Sequence, residues 1–169
     1  EREAYARFSR PFYVNKPLGV VVNRKLAKRL GPSPHLDALL HADLAWGHRQ
    51  NYSHGKILDA ALHAQPNLRI TQFTDLPPIL RLIAVGRLDA TLLAPEELAA
   101  QLAANPSLAG ALVLLPLADA PSGFSRRIMC DASLDPAFMA RIDAAIATYC
   151  QSERYRERLR QAHLDTTSH

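Results

Sequence analysis

The chain has 169 residues, 48% hydrophobic and 21% charged, enough for one ordinary globular domain or one large lobe with appendages. The formal charge of +4 is carried by interspersed Lys, Arg, Asp and Glu, which argues against nucleic acid as a partner. Twelve prolines and seven glycines are scattered, so no stretch has the composition of a long disordered linker, and no run of about 18 apolar residues exists to span a bilayer.

The chain opens on Glu1-Arg2-Glu3-Ala4-Tyr5, without the basic start and apolar core of a signal peptide, so either a processed start or a missing front is expected. Apolar runs bounded by turn residues predict strands at Leu18 to Val22, Leu44 to Trp46, Leu68 to Phe73, Ala90 to Leu93, Leu112 to Leu117 and Phe124 to Met129. Apolar residues at i, i+3 and i+4 predict helices at Leu36 to Leu40, Lys56 to His63, Pro77 to Val85, Pro95 to Leu102 and Pro136 to Tyr149. Ser33 before Pro34, Asp75 before Pro77 and Asp135 before Pro136 each pair a capping oxygen with a first-turn proline. The alternation predicts an α/β fold, a mostly parallel sheet covered by helices and joined by right-handed crossovers, with ligands at the carboxyl ends of its strands.

The block Glu153-Arg154-Tyr155-Arg156-Glu157-Arg158-Leu159-Arg160 alternates sign at helical spacing and reads as a solvated helix face. Cys130 and Cys150 lack CxxC or His/Cys spacing, which leaves a disulfide, two free thiols or an outside partner open. No internal repeat is found.

The segments "ERxxxxxFSRPFYVNKPLGVVVNR", "LAWGHRQNYSHGKILDAAL", "ITQFTDLPPILRLIAVGRLDATLL" and "FSRRIMCDASLDPAFMARIDAAI" follow one another in this order. Together they resemble the type II periplasmic solute-binding proteins of ABC transporters, in the group of the amino-acid receptors. The resemblance implies a hinge crossing and remnant of a first lobe over residues 1–15, a complete second α/β lobe over 16–120, and a return strand with C-terminal helices of the first lobe over 121–169. It also implies that the front part of the first lobe, which supplies an arginine and an aromatic wall in that family, is not in this sequence.

The residues expected to touch a ligand follow. Arg49-Gln50-Asn51-Tyr52-Ser53-His54-Gly55 runs from a strand end into a helix, where backbone N–H groups and the positive helix terminus suit an anion. Ser53 is read as a cap or a ligand contact, and Gly55 as a place of close backbone approach. Arg49, Asn51, Tyr52, Ser53, His54 and Gly55 are the contacts expected from this loop. Thr74 and Asp75 fall at the same sheet edge, as capping residues or ligand contacts, and Tyr13 is an aromatic near the hinge that is either core or cleft cover.

Asp89 of Gly86-Arg87-Leu88-Asp89 is expected to pair with backbone or with Arg87. Where the resembling receptors place an aspartate for a ligand's ammonium, this chain has Leu93-Ala94-Pro95-Glu96, with Glu96 or Glu97 as partial substitutes. No HxxxH, HExxH, G-x-S-x-G or glycine-rich phosphate loop is present.

The expectation is therefore a monomeric periplasmic protein without cofactor or metal. It captures a small polar ligand, amino-acid-like or a small carboxylate, in an interlobe cleft for a membrane ABC transporter permease or a sensor. A ligand-sensing domain of a regulator is the alternative reading, and a hydrolase using Ser53 a further one.

Overall fold

A computed structural model describes residues 4–164 and forms two compact units. One runs over Lys16–Ser122, and the other gathers the described residues up to Asn15 with those from Gly123 onward. The first three residues of the opening segment, and the tail beyond residue 164, lie outside the described residues.

In chain order the elements are β1 (Ala6–Phe8), β2 (Tyr13–Val14), β3 (Gly19–Asn23), α1 (Arg24–Leu30), α2 (Leu36–His41), β4 (Ala45–Arg49), α3 (Lys56–His63), β5 (Arg69–Phe73) and α4 (Leu76–Ala84). They continue with β6 (Ala90–Leu93), α5 (Pro95–Ala104), β7 (Leu112–Pro116), β8 (Ser125–Arg126), β9 (Met129–Asp131), α6 (Pro136–Gln151) and α7 (Glu153–Leu164).

The larger unit is built on a five-stranded sheet in the order β5-β4-β6-β3-β7. Strands β4, β5 and β6 run parallel, while β3 runs antiparallel to both β6 and β7. Four strands therefore point one way and β3 the other, which modifies the expected run of crossovers: β3 enters the sheet from the rim where its neighbours end. Its sequence Gly19-Val-Val-Val-Asn23 is buried on both faces, as a central strand with an unbroken apolar run should be.

The side-chain period of two divides the core between those faces. Val20 and Val22 pack with Leu26, Leu39, Trp46 and Leu58, under α1, α2 and α3. Val21, one residue out of step, packs with Ile79, Leu80, Ile83, Leu98 and Leu102, under α4 and α5. Gly47 keeps the second face close-packed, since a Cβ there would lie 2.5 Å from Ile79 Cγ2 and 3.0 Å from Leu88 Cδ1.

Helix starts follow local chemistry only in part. The sequence pattern gave no helix between β3 and residue 36, yet α1 forms there, capped by Asn23 Oδ1 accepting from Leu26 N–H at 2.9 Å. Ser33 does not start α2; His35 is its N-cap residue and Leu36 N–H donates to Asp119 Oδ1 at 2.8 Å, a cap supplied from 83 residues away. Asp89 pairs with backbone as expected, its Oδ2 accepting from Ala45 N–H at 2.8 Å.

The smaller unit contains two antiparallel pairs, β1 with β9 and β2 with β8, and the helices α6 and α7. The single strand expected over Phe124 to Met129 is instead two short strands in separate sheets. Ser9 explains the interruption: its hydroxyl accepts from Ile128 N–H at 2.9 Å, and its own N–H donates to Ile128 O at 2.9 Å. Asp135 caps α6 through Ala137 N–H at 2.9 Å. Cys130 and Cys150 are not bridged to each other. On α7, Arg160 bridges Glu153 and Glu157 at 2.7 Å each on an exposed face, in keeping with the solvated reading.

Candidate functional site

Strand register fixes where the candidate residues meet. Arg49 at the end of β4 is opposite Phe73 at the end of β5, and the pairing of Trp46 with Ala90 puts Arg49 level with Leu93 at the end of β6. Gly19 at the start of β3 is opposite both Leu93 and Pro116. One rim of the sheet therefore carries Lys16 to Leu18, the loop of residues 50–55, Thr74 and Asp75, and Ala94 with the first turn of α5.

The loop leaves β4 through a tight turn. Gln50 N–H donates to Phe73 O at 2.8 Å, and Asn51 takes φ +57°, a left-handed conformation that asparagine tolerates better than most residues. Gly55, at φ +94°, is the N-cap of α3 without a side-chain cap of its own. Asp59, one turn into α3, reaches back to organise the loop. Its Oδ2 accepts from Ser53 Oγ at 2.6 Å and its Oδ1 from His54 N–H at 2.9 Å, while Ser53 Oγ accepts from Gly55 N–H at 3.1 Å. Asp59 and Ser53 thus satisfy two N–H groups that the sequence pattern offered to an anion.

His54 turns inward and is 5% exposed. Its Nε2 lies 3.3 Å from His48 Nδ1 on β4, and its ring meets Tyr52 edge-on at 5.2 Å. Burial, reinforced by His48, lowers the His54 pKa to about 4 against the opposing pull of Asp59. Burial likewise lowers that of His48. Two imidazoles this close hold each other only when at most one is charged, so the pair is a neutral hydrogen bond at pH 7.

Arg49 lies flat on Tyr52, with its guanidinium carbon 3.8 Å from the ring centre, a cation–π stack that fixes the head group. Its Nη2 pairs with Glu97 Oε1 at 2.7 Å, and Tyr52 Oη reaches Glu97 Oε2 at 3.4 Å. Glu96 Oε1 accepts from Lys16 N–H at 2.9 Å. On the neighbouring turn Thr74 Oγ1 donates to Asp75 Oδ2 at 3.2 Å; Asp75 is the N-cap of α4 by backbone conformation, but its side chain makes no cap bond.

The geometry therefore gathers Arg49, Tyr52, Ser53, His54 and Gly55 with Thr74 and Asp75 along one rim, and leaves Asn51 exposed in the turn. Tyr13 belongs to the smaller unit, half-buried in β2 opposite Arg126. His48 and Asp59 were not singled out in the sequence. Six residues apart, His48 and His54 would not share a helical face, but a strand followed by a loop that folds back brings them together. Among the described residues no group of three or more His, Cys, Asp or Glu is placed to hold a metal ion.

No family model and no curated protein matches the chain. Solved structures do. Holo ArgBP from T. maritima aligns with 91% of this chain at 18% identity and a TM-score of 0.63. An amino acid ABC transporter substrate-binding protein from Streptococcus pneumoniae bound to L-arginine aligns with 98% at 15% identity and a TM-score of 0.70. An arginine 3rd transport system periplasmic binding protein from Legionella pneumophila aligns with 95% at 16% identity and a TM-score of 0.65. The chain has the fold of these binding proteins, the type II periplasmic-binding fold, and spans 61%, 64% and 67% of their respective lengths.

Proposed function

We propose that the chain is part of a solute-binding protein that captures a small polar ligand, amino-acid-like or a small carboxylate, for an ABC transporter. The carboxyl rim of the five-stranded sheet is one wall of the ligand cleft. The observation that carries this reading is the convergence, at that rim, of a stacked Arg49 and a hydrogen-bonded loop at the start of α3. Arg49, Tyr52, Ser53, His54, Gly55, Thr74 and Asp75 are the proposed contacts, with Asn51 at the loop tip. The fold shared with transporter binding proteins supports a periplasmic location and delivery of the ligand to a membrane permease or a sensor, and a monomer is proposed with it. The division of the chain into a complete α/β lobe and the flanking parts of a second lobe is proposed on the same ground.

Binding without bond breaking is the chemistry proposed for this site. A serine nucleophile needs a base to take its proton. Ser53 Oγ instead donates to Asp59, and the two nearby imidazoles are engaged with each other. The test is a thermal-shift screen over amino acids, small carboxylates and oligopeptides. A ligand at 100 times its Kd should add about 2.7 kcal/mol of stability. Arg49→Ala should weaken the hit about ten-fold or more, the size of a lost charge-assisted hydrogen bond. A hit that binds Arg49→Ala and Ser53→Ala as tightly as the wild type would remove the rim from the reading.

A further inference from the structure

Charge around the rim is unevenly committed. Asp59 is occupied by the Ser53 hydroxyl and the His54 N–H, one oxygen of Glu96 by the Lys16 N–H, and Asp75 by the Thr74 hydroxyl. Ala94, at the end of β6, carries no charge. Arg49 is held from two sides by contacts of different kinds: the Tyr52 ring beneath it, and Glu97 at its edge. The ion pair is about three-quarters buried, with side chains 23% and 26% exposed.

Building on the solute-binding reading, we infer that Glu97 is an internal competitor. Its carboxylate holds the place on Arg49 that a ligand carboxylate takes, and the site selects small carboxylates with no requirement for a neighbouring ammonium. Three features support this. The stack on Tyr52 is a contact separate from the ion pair, so an Arg49 released by Glu97 keeps an aromatic face beneath it as an anchor for another anion. Glu97 is the third residue of α5, where a glutamate can reach back to the helix N-terminus and is stabilised by its dipole, so the displaced side chain has a second favourable position. The other acidic groups named here already hold donors, and the position at the end of β6 is an alanine.

The exchange swaps one carboxylate for another on the same cation, so the net affinity for a ligand is its own interaction less that of Glu97. Removing the charge of Glu97 should tighten carboxylate binding by about two- to five-fold, the range of a partly exposed ion pair. A ligand whose ammonium sat on Glu97 would behave in the opposite way.

Butyrate and L-2-aminobutyrate share a carbon skeleton and differ by the ammonium, which makes them suitable probes, at millimolar concentration, for NMR titration of the backbone amide resonances of residues 50–55, which every variant keeps. Wild type, Glu97→Gln, Arg49→Met and the double variant would be compared. The expected result is tighter butyrate binding to Glu97→Gln, with that gain absent in the Arg49→Met background.

Weaker binding of L-2-aminobutyrate to Glu97→Gln would make Glu97 an ammonium holder and overturn the inference. A gain that persists without Arg49 would also overturn it, because Glu97 would then act through the general field. If wild type binds the probes and Glu97→Gln is no tighter, the inference alone fails. If none of these probes, nor L-arginine or L-glutamine, shifts any rim resonance in any variant, the solute-binding reading fails with it.

Discussion

Lowering the pH from 7.5 to 5 should destabilise the larger unit, and replacing His54 by glutamine should remove most of that dependence. Imidazole has an ordinary pKa of 6.5, and in the fold His54 is lowered to about 4, chiefly because it is buried and secondly because His48 faces it. Between those two values the unfolded chain binds a proton that the folded chain refuses. Stability is therefore complete above pH 6.5 and is lost as pH falls toward 4. The gap of about 2.5 units corresponds to at most about 3 kcal/mol, roughly half to two-thirds of it expressed by pH 5. His48, lowered in the same direction by burial, adds to the slope. The groups that act on the pair are Arg49 and His63, which disfavour its protonation, and Asp59, which favours it. Urea unfolding curves at half-unit pH intervals, followed by the fluorescence of Trp46, would measure this. A wild-type curve as flat as that of His54→Gln, or one more stable at pH 5 than at 7, would refute the reasoning.

Other outcomes follow from packing. Gly47→Ala drives a methyl into Ile79 and should destabilise by about 1 to 3 kcal/mol, read from the same denaturation midpoints. Ile79→Ala, at a fully buried position, should cost about 2 to 5 kcal/mol through lost burial and an unfilled cavity. Asp135→Ala removes the cap of α6 and should cost about 1 kcal/mol in the smaller unit, measurable by hydrogen exchange along that helix. Arg160→Ala, despite its two short ion pairs on α7, should change the melting temperature by no more than about a degree or two, because exposed pairs are worth little.

Most of the sheet was legible because burial writes itself into periodicity: the runs at 90–93 and 112–116 are apolar strands bounded by turn residues, and α3 matches its apolar spacing end to end. Longer-range effects were not legible. Helix α1 is too polar, as Arg-Lys-Leu-Ala-Lys-Arg-Leu, to stand out by hydrophobic pattern, and it forms because Asn23 caps it and Leu26 anchors it. The start of α2 depends on Asp119, which no local rule connects to residue 36. At the rim, the loop from Arg49 to Gly55 was found from its place between a strand and a helix. The clamp by Asp59 and the His48 contact were not, because each requires knowing how the loop folds back. The direction of β3 was equally hidden, since an apolar run is the same read either way.

That inverted strand has a consequence for the site. A strand running against its neighbours starts where they end, so the segment Lys16-Pro17-Leu18 arrives at the rim itself, and Lys16 N–H is available to Glu96 at 2.9 Å. The contact ties the first turn of α5 to the start of β3. Gly19 makes the approach tight, for a Cβ there would lie 2.6 Å from Leu115 O, a backbone atom that cannot turn aside. The two adjacent glutamates therefore do different work: Glu96 fixes where the helix begins, and Glu97, held at the level of Arg49 by that anchor, moves only by side-chain rotation. A competitor mounted on that helix turn leaves by side-chain rotation and costs the loop only the long contact from Tyr52 Oη at 3.4 Å, so in the proposed exchange on Arg49 the sheet keeps its place.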